Sequence, residues 1–167
     1  VELRKSFTLK SYYAQEVGNH KDMGSVIEFA NGEKYSFDKD RSNILINSQL
    51  HIFSQTLQPS LNLVLIGAEH DAVQVAHAAS FLGWDITIVA GTSEAKTLQD
   101  FPGAKKIMCQ DPEFLTVEAV NQETVVLLMT HSYVKDLSYL LALKDTIPAY
   151  IGLLGPAKRR DQLLNEF

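Results

Sequence analysis

Cysteine is nearly absent from the chain: Cys109 is the single one in 167 residues. An internal disulfide is thereby excluded, and so is a cysteine-built zinc or iron–sulfur cage within the chain. A cytoplasmic setting is the matching expectation. Basic residues are outnumbered, with 15 Lys and Arg against 20 Asp and Glu and a formal net charge of −5. Non-specific nucleic-acid binding requires a basic surface, so no nucleic-acid partner is expected. No apolar run approaches the roughly 18–20 residues of a membrane span, so no membrane role is expected either. Val1-Glu2-Leu3-Arg4-Lys5 is not followed by an apolar stretch, which argues against a signal peptide. The first residue is not Met, so either it was removed or the chain is a fragment.

What is present is the composition of a globular protein, 46% hydrophobic and 21% charged. Two regions differ in texture. Residues 1–58 read as a β-rich segment, a remnant or linker of an upstream domain. From Ser6 to Phe37 the pattern is strand-like, with Phe7, Leu9, Tyr12 and Val17 and then Val26-Ile27-Glu28-Phe29. Asn31-Gly32 between that run and Lys34-Tyr35-Ser36-Phe37 predicts a β-hairpin. Asp38 to Asn43 reads as a polar loop, and Ile44 to Leu57 fits either helix or strand. Gln58-Pro59-Ser60 punctuates the chain.

Residues 59–167 alternate strand and helix. Leu61-Asn62-Leu63-Val64-Leu65-Ile66 reads as a buried strand ended by Gly67. Asp71 to Leu82 has helical spacing, with Ala72, Val75, Ala76 and Ala79 on one face and Gly83 as a stop. Further strands are expected at Ile86–Val89, Lys106–Met108, Thr124–Met129 and Ala149–Gly152, and helices at Val134–Leu143 and Ala157–Asn165. Apolar strands alternating with helices predict an α/β fold: a Rossmann-like parallel sheet with helices on both faces, preceded by the small hairpin region. Trp84 and the Phe residues are expected in the core, and Cys109 is expected to be a buried or neutral thiol.

In such sheets ligands bind beyond the carboxyl ends of the strands. The first such end reads Gly67-Ala68-Glu69-His70-Asp71-Ala72, against the dinucleotide fingerprint G-x-G-x-x-G/A. The middle glycine is replaced by Glu69. A carboxylate a few Å from a pyrophosphate costs about 1 kcal/mol in water and about 4 at an effective dielectric of 20. Asp71 adds negative charge at the helix start, where an anion would otherwise be favoured. The second strand ends Val89-Ala90-Gly91, without the acid that grips an NAD ribose. Tyr133-Val134-Lys135 lacks the Tyr-x-x-x-Lys spacing of a familiar dehydrogenase pair.

Several motifs together carry a family resemblance. Leu65 to Ala72 resembles the G-A-G-H/N-D/V-A motif of the xanthine dehydrogenase accessory proteins of the XdhC/CoxI type. Leu82 to Val89 resembles that family's following strand, and Phe101-Pro102-Gly103-Ala104 its F-P-x-A element. Met129-Thr130-His131 with Asp136 is similar to its M-T-H-x-x-x-x-D segment. Tyr150 to Pro156 with Lys158-Arg159-Arg160 is similar to its Y-I-G-L-L-G-x-x-x-R ending. Phe53 to Pro59 resembles the F-x-E-x-L-x-P lead-in, with Gln55 where Glu is usual. The resemblance covers Phe53 to Phe167 and implies a C-terminal Rossmann domain. The cysteine motif of the family's N-terminal half has no counterpart, since Cys109 lies elsewhere.

The resemblance implies an accessory or maturation protein for a molybdenum hydroxylase such as xanthine dehydrogenase. Such a protein binds a cofactor, the molybdenum cofactor (molybdopterin) or NAD(P), rather than performing catalysis itself. The alternatives are an NAD(P)-dependent oxidoreductase and a degenerate interaction domain, in which the hairpin could serve as a homodimer edge. The candidate binding residues are Gly67, Ala68, Glu69, His70, Asp71, Ala72, Thr130, His131, Gly152 and Gly155. No catalytic residue and no metal site is assigned. His70 is either a phosphate or pterin contact or a polar helix start. His131 stands where a neutral imidazole can donate to a ligand or act as acid–base, and Thr130 is either a ligand contact or a strand-end hydrogen-bonder. Asp136 either caps the following helix or orients His131. Gly155 precedes Lys158, Arg159 and Arg160, forming either an anion site or a tight turn before a solvated basic face.

Overall fold

The computed structural model describes residues 5–16, 23–37, 50–116 and 120–167. Two compact units are formed, Val1–Pro59 and Ser60–Phe167.

The first unit is a four-stranded antiparallel sheet of β1 (Phe7–Tyr13), β2 (Gly24–Phe29), β3 (Lys34–Ser36) and β4 (His51–Leu57), in the order β3-β2-β1-β4. The Asn31-Gly32 turn joins β2 to β3 as the sequence predicts. Gly32 takes φ 86°, and its amide donates to the Phe29 carbonyl at 2.9 Å. Alternation gives the sheet two unlike sides. Phe7 pairs with Phe29, and Phe29 meets Tyr35 edge-on with ring centroids 5.8 Å apart. On the opposite side Glu28 is gripped by Lys10 and Lys34, and these bonds hold its carboxyl below the usual range. The ambiguous stretch resolves to strand from His51 onward. The expectations for residues 17–19 and 38–49 lie outside the described residues.

The second unit is a five-stranded, wholly parallel sheet in the order β7-β6-β5-β8-β9. Its strands are β5 (Asn62–Ile66), β6 (Asp85–Ala90), β7 (Lys106–Cys109), β8 (Thr124–Leu128) and β9 (Tyr150–Leu153). Its helices are α1 (His70–Phe81), α2 (Tyr133–Ala142) and α3 (Ala157–Glu166). The predicted Rossmann-like α/β architecture is therefore observed, with element ends displaced by a residue or so. Period-two alternation sorts each strand between two cores. Leu63, Leu65, Ile86 and Ile88 pack on the side of α1, against Ala72, Ala76 and Ala79. Val64, Ile66, Val126 and Leu128 pack on the side of α2, against Tyr139, Leu140 and Leu143. The three alanines bring α1 close to the sheet. Gly83 ends α1 at φ 77° with two reversed bonds: its own amide to Ser80 and the Trp84 amide to Ala79.

Two expectations about burial need correction. Phe101 is fully buried, but Phe81 is 91% exposed, because it lies two residues past Ala79 and so on the opposite side of α1. Phe37, Phe53, Phe114 and Phe167 are exposed as well, whereas Trp84 is half-buried and packs against the core on the α1 side. Cys109 is exposed, because it ends the edge strand β7 instead of a central one. Among the described residues no helix is long and apolar enough to cross a membrane.

Tyr139 illustrates the α2 side. It is 2% exposed, and its hydroxyl donates to the Gln110 carbonyl at 2.7 Å. Burial first, and then the nearby carboxylates of Asp111, Glu94 and Glu113, push its phenol up to about 12. A raised phenol pKa favours the neutral form in the folded state. The resulting stability is complete below the unfolded value near 10 and is lost as pH rises through the folded value. Tyr139→Phe is expected to cost about 1–2 kcal/mol at pH 7, because Gln110 loses its donor. The gap from wild type should then narrow as pH climbs above about 10. Urea denaturation of both proteins at neutral and alkaline pH checks this; curves that stay parallel would contradict it.

Candidate functional site

The strand order reverses between β5 and β8, and the loops after these two strands form the site. Gly67 makes the first loop possible. It takes φ 123°, and a Cβ on it would lie 2.5 Å from the Met129 carbonyl oxygen and 2.9 Å from the Thr130 amide nitrogen. Only glycine lets the two strand ends touch here. Ala68 is buried behind it, and Ala72 is buried against the sheet.

Glu69 is the residue before α1, with extended backbone and no side-chain cap bond. The helix start is instead served by Asp71, whose Oδ1 accepts the Ala72 amide at 2.9 Å. Its other oxygen, Oδ2, lies 2.8 Å from His131 Nε2. His131 follows β8 with φ 56°, the sole non-glycine residue of positive φ among those described. A left-handed conformation at such a residue costs about 1–2 kcal/mol and persists only when its surroundings impose it. Glu69, His70, Asp71 and His131 line an open cleft of about 430 Å³.

Behind the cleft lies a charged latch. Asp136, on α2, is 1% exposed. Its Oδ1 accepts the Thr130 hydroxyl at 2.5 Å and the Thr130 amide at 3.3 Å, and its Oδ2 pairs with the Arg159 guanidinium from α3. Asp136 therefore neither caps α2 nor touches His131. The cap is Ser132, whose Oγ accepts the Lys135 amide at 3.4 Å. Arg159 is likewise not on a solvated basic face: it turns inward beneath Gly155, where a Cβ would come within 3.1 Å of Arg159 Cδ. Arg160 is engaged by its neighbour Asp161.

The structure thus brings Glu69, His70, Asp71 and His131 together, with Gly67, Ala68 and Thr130 beneath them. It does not bring Gly152 or Gly155 to the cleft. Gly152 lies inside β9 under Leu127 and Tyr150, and Gly155 sits over Arg159. A second polar group was missed by sequence reasoning. At the end of β6 an acid arrives from the residues just after β7. Asp111 accepts the Thr92 amide at 3.2 Å and the Thr92 hydroxyl, and these bonds hold it below the usual carboxylate range. Glu94 lies beside it, paired with Lys135 Nζ at 3.3 Å. Among the described residues no group of three or more His, Cys, Asp or Glu is arranged to hold a metal ion.

This geometry can be set beside known proteins. The family described as the XdhC Rossmann domain matches residues 63–167. The chain belongs to this XdhC family. It is similar to a probable xanthine dehydrogenase subunit of Bacillus subtilis (strain 168), 29% identical over 116 residues, covering 69% of this chain and 35% of that protein. It also resembles the crystal structure of a xanthine dehydrogenase from Bacillus halodurans, with a TM-score of 0.76 and 22% identity, over 97% of this chain and 51% of that one. The chain thus spans about a third of the first relative's length and half of the second's. The family resemblance drawn from the motifs is thereby shown. The switch-point loops of this XdhC domain, 67–72 and 129–136, both lie within the matched residues.

The contact at Gly67 gives a direct test. Gly67→Ala combines a disfavoured φ with a clash against backbone and is expected to cost about 3 kcal/mol or more. Gly83→Ala, where a Cβ meets nothing within 4 Å, should cost only about 1 kcal/mol. Urea denaturation of the pair decides. Equal losses would mean that the strand ends can part freely.

Proposed function

We propose that this chain is part of an accessory protein for a molybdenum hydroxylase of the xanthine dehydrogenase type, and that its switch-point cleft takes a cofactor and performs no turnover of its own. The observation that carries the reading is family membership over residues 63–167. The names of the relatives support the link to xanthine dehydrogenase.

The chemistry of the cleft narrows the ligand. A dinucleotide would lay its pyrophosphate at the start of α1. There it would face the Glu69 and Asp71 side chains, and the Ala72 amide already donates to Asp71. The fit to NAD(P) in that mode is poor. Ionised carboxylates accept hydrogen bonds and do not donate them. Glu69 therefore suits a neutral heterocycle with amino and ring N–H groups, such as the pterin portion of molybdopterin. Of the cofactor, the cleft suits the ring and not the phosphate. Within the chain's own residues, Glu69 and His70 would orient such a ring, and the His131–Asp71 pair would hold or donate a proton at its edge.

A thermal-shift series with a free pterin, NAD, NADP and ADP, each at millimolar concentration, tests the ligand. A ligand at a hundred times its dissociation constant adds about 2.7 kcal/mol, which is several degrees for a domain of this size. A rise with the pterin, abolished by Glu69→Gln, is expected, along with no rise with the dinucleotides. Co-elution with a xanthine dehydrogenase-type enzyme on size-exclusion chromatography tests the partner. A shift with NAD alone, together with no co-elution, would overturn the proposal.

A further inference from the structure

The latch behind the cleft joins two stretches that are far apart in the chain. Thr130 and Asp136 belong to the segment after β8, and Arg159 belongs to α3 after β9. All three meet at one carboxylate that is 1% exposed. Helix capping does not explain this arrangement, because Ser132 already provides it. α3 has other anchors as well: Leu163 is buried, and the Tyr133 hydroxyl donates to Glu166 at 2.7 Å. The arrangement also leaves a buried donor without a partner among the described residues, Arg159 Nε. Burial of an unsatisfied donor is unfavourable and calls for a reason.

The reason lies one residue beyond Thr130. Asp136 takes both the amide and the hydroxyl of Thr130 and so fixes that residue at backbone and side chain together. His131 follows directly, in the left-handed conformation, with its Nε2 at Asp71. On the other side the Met129–Thr130 peptide is backed by Gly67. With Thr130 immobilised from both sides, the turn at His131 has little freedom to relax. The carboxylate can do this only while it is itself held. Arg159 holds it, pairing its guanidinium with the second carboxylate oxygen where almost no water reaches.

We propose that Arg159 is a positioning residue for His131: acting through Asp136 and Thr130, it holds the left-handed turn that presents the imidazole to Asp71. The terminal helix α3 is then a working part of the cleft, although none of its side chains lines it. The inference rests on the proposed reading only in treating the cleft as the place where His131 acts. Its test needs no ligand, so the two can fail separately.

The experiment uses the whole chain with histidine labelled by nitrogen-15 in the ring, at a pH where the imidazole is neutral. His131 is identified by the signal lost in His131→Gln. In the wild type the Asp71 carboxylate accepts from Nε2, so the Nε2–H tautomer should prevail by about tenfold, and Asp71→Ala defines the signals without that acceptor. Arg159→Met is expected to move the two ring signals toward those of Asp71→Ala. Arg159→Lys, which keeps a positive charge without the planar fork, should fall between. If Arg159→Met does not fold, Arg159→Lys and Asp136→Asn are read in its place, with shifts in the same direction. Variants that melt earlier while the His131 ring signals stay at their wild-type positions would overturn the proposal, leaving Arg159 a purely structural residue.

Discussion

The second unit depends on two strand ends that nearly touch. β5 and β8 are neighbours in the sheet, and the chain leaves them in opposite directions, α1 toward one side and α2 toward the other. A crevice opens where the two loops part. Its floor is the contact of Gly67 with Met129 and Thr130, where no side chain fits. That contact sets where α1 begins and where His131 turns. The acid of the first loop and the imidazole of the second meet because their backbones are already in contact. Glycine here is a condition of the geometry, whereas Gly83 merely ends a helix in open space.

The fold was legible because its signals are local. Apolar strand runs, the alanine face of α1, the Gly83 stop and the Asn31-Gly32 turn each name their element without reference to the rest of the chain. The site was legible only in part. Glu69, His70, Asp71 and His131 could be placed together because strand ends in a parallel sheet share a rim, which is a rule of topology. The latch could not be read in the same way. Asp136 and Arg159 are 23 residues apart on different helices. Each had a local reading that sufficed, as a helix cap and as a basic surface residue. Only the packing of α3 on α2 shows that the two charges face each other, the acid nearly out of water. The acids near β6 were hidden for the same reason: Asp111 comes from the end of the next strand. The misplaced phenylalanines show the converse error. Residue type alone predicts burial poorly when helical phase and edge position decide it, as at Phe81 and Cys109.

The charged groups around the sheet differ in how much they can contribute. Lys10, Glu28 and Lys34 lie at the surface of the first unit, where solvent and salt weaken each pair. The Asp136–Arg159 pair is nearly dry on its acid side. Such a pair adds little net stability over well-packed apolar groups, yet losing either partner strands a charge. Its value is in fixing one arrangement of the surrounding chain. That matches its location beside a strained turn rather than in the middle of the core.

Tethered at the start of α1 and already bonded to the Ala72 amide, the Asp71 carboxylate acts as an intramolecular competitor for any anion that approaches the helix. A tethered group of this kind works at an effective concentration of about millimolar or above, so a free phosphate must outcompete it before gaining anything. Glu69 beside it makes no such cap bond. The start of α1 is thus occupied by the chain's own carboxylate before any ligand arrives.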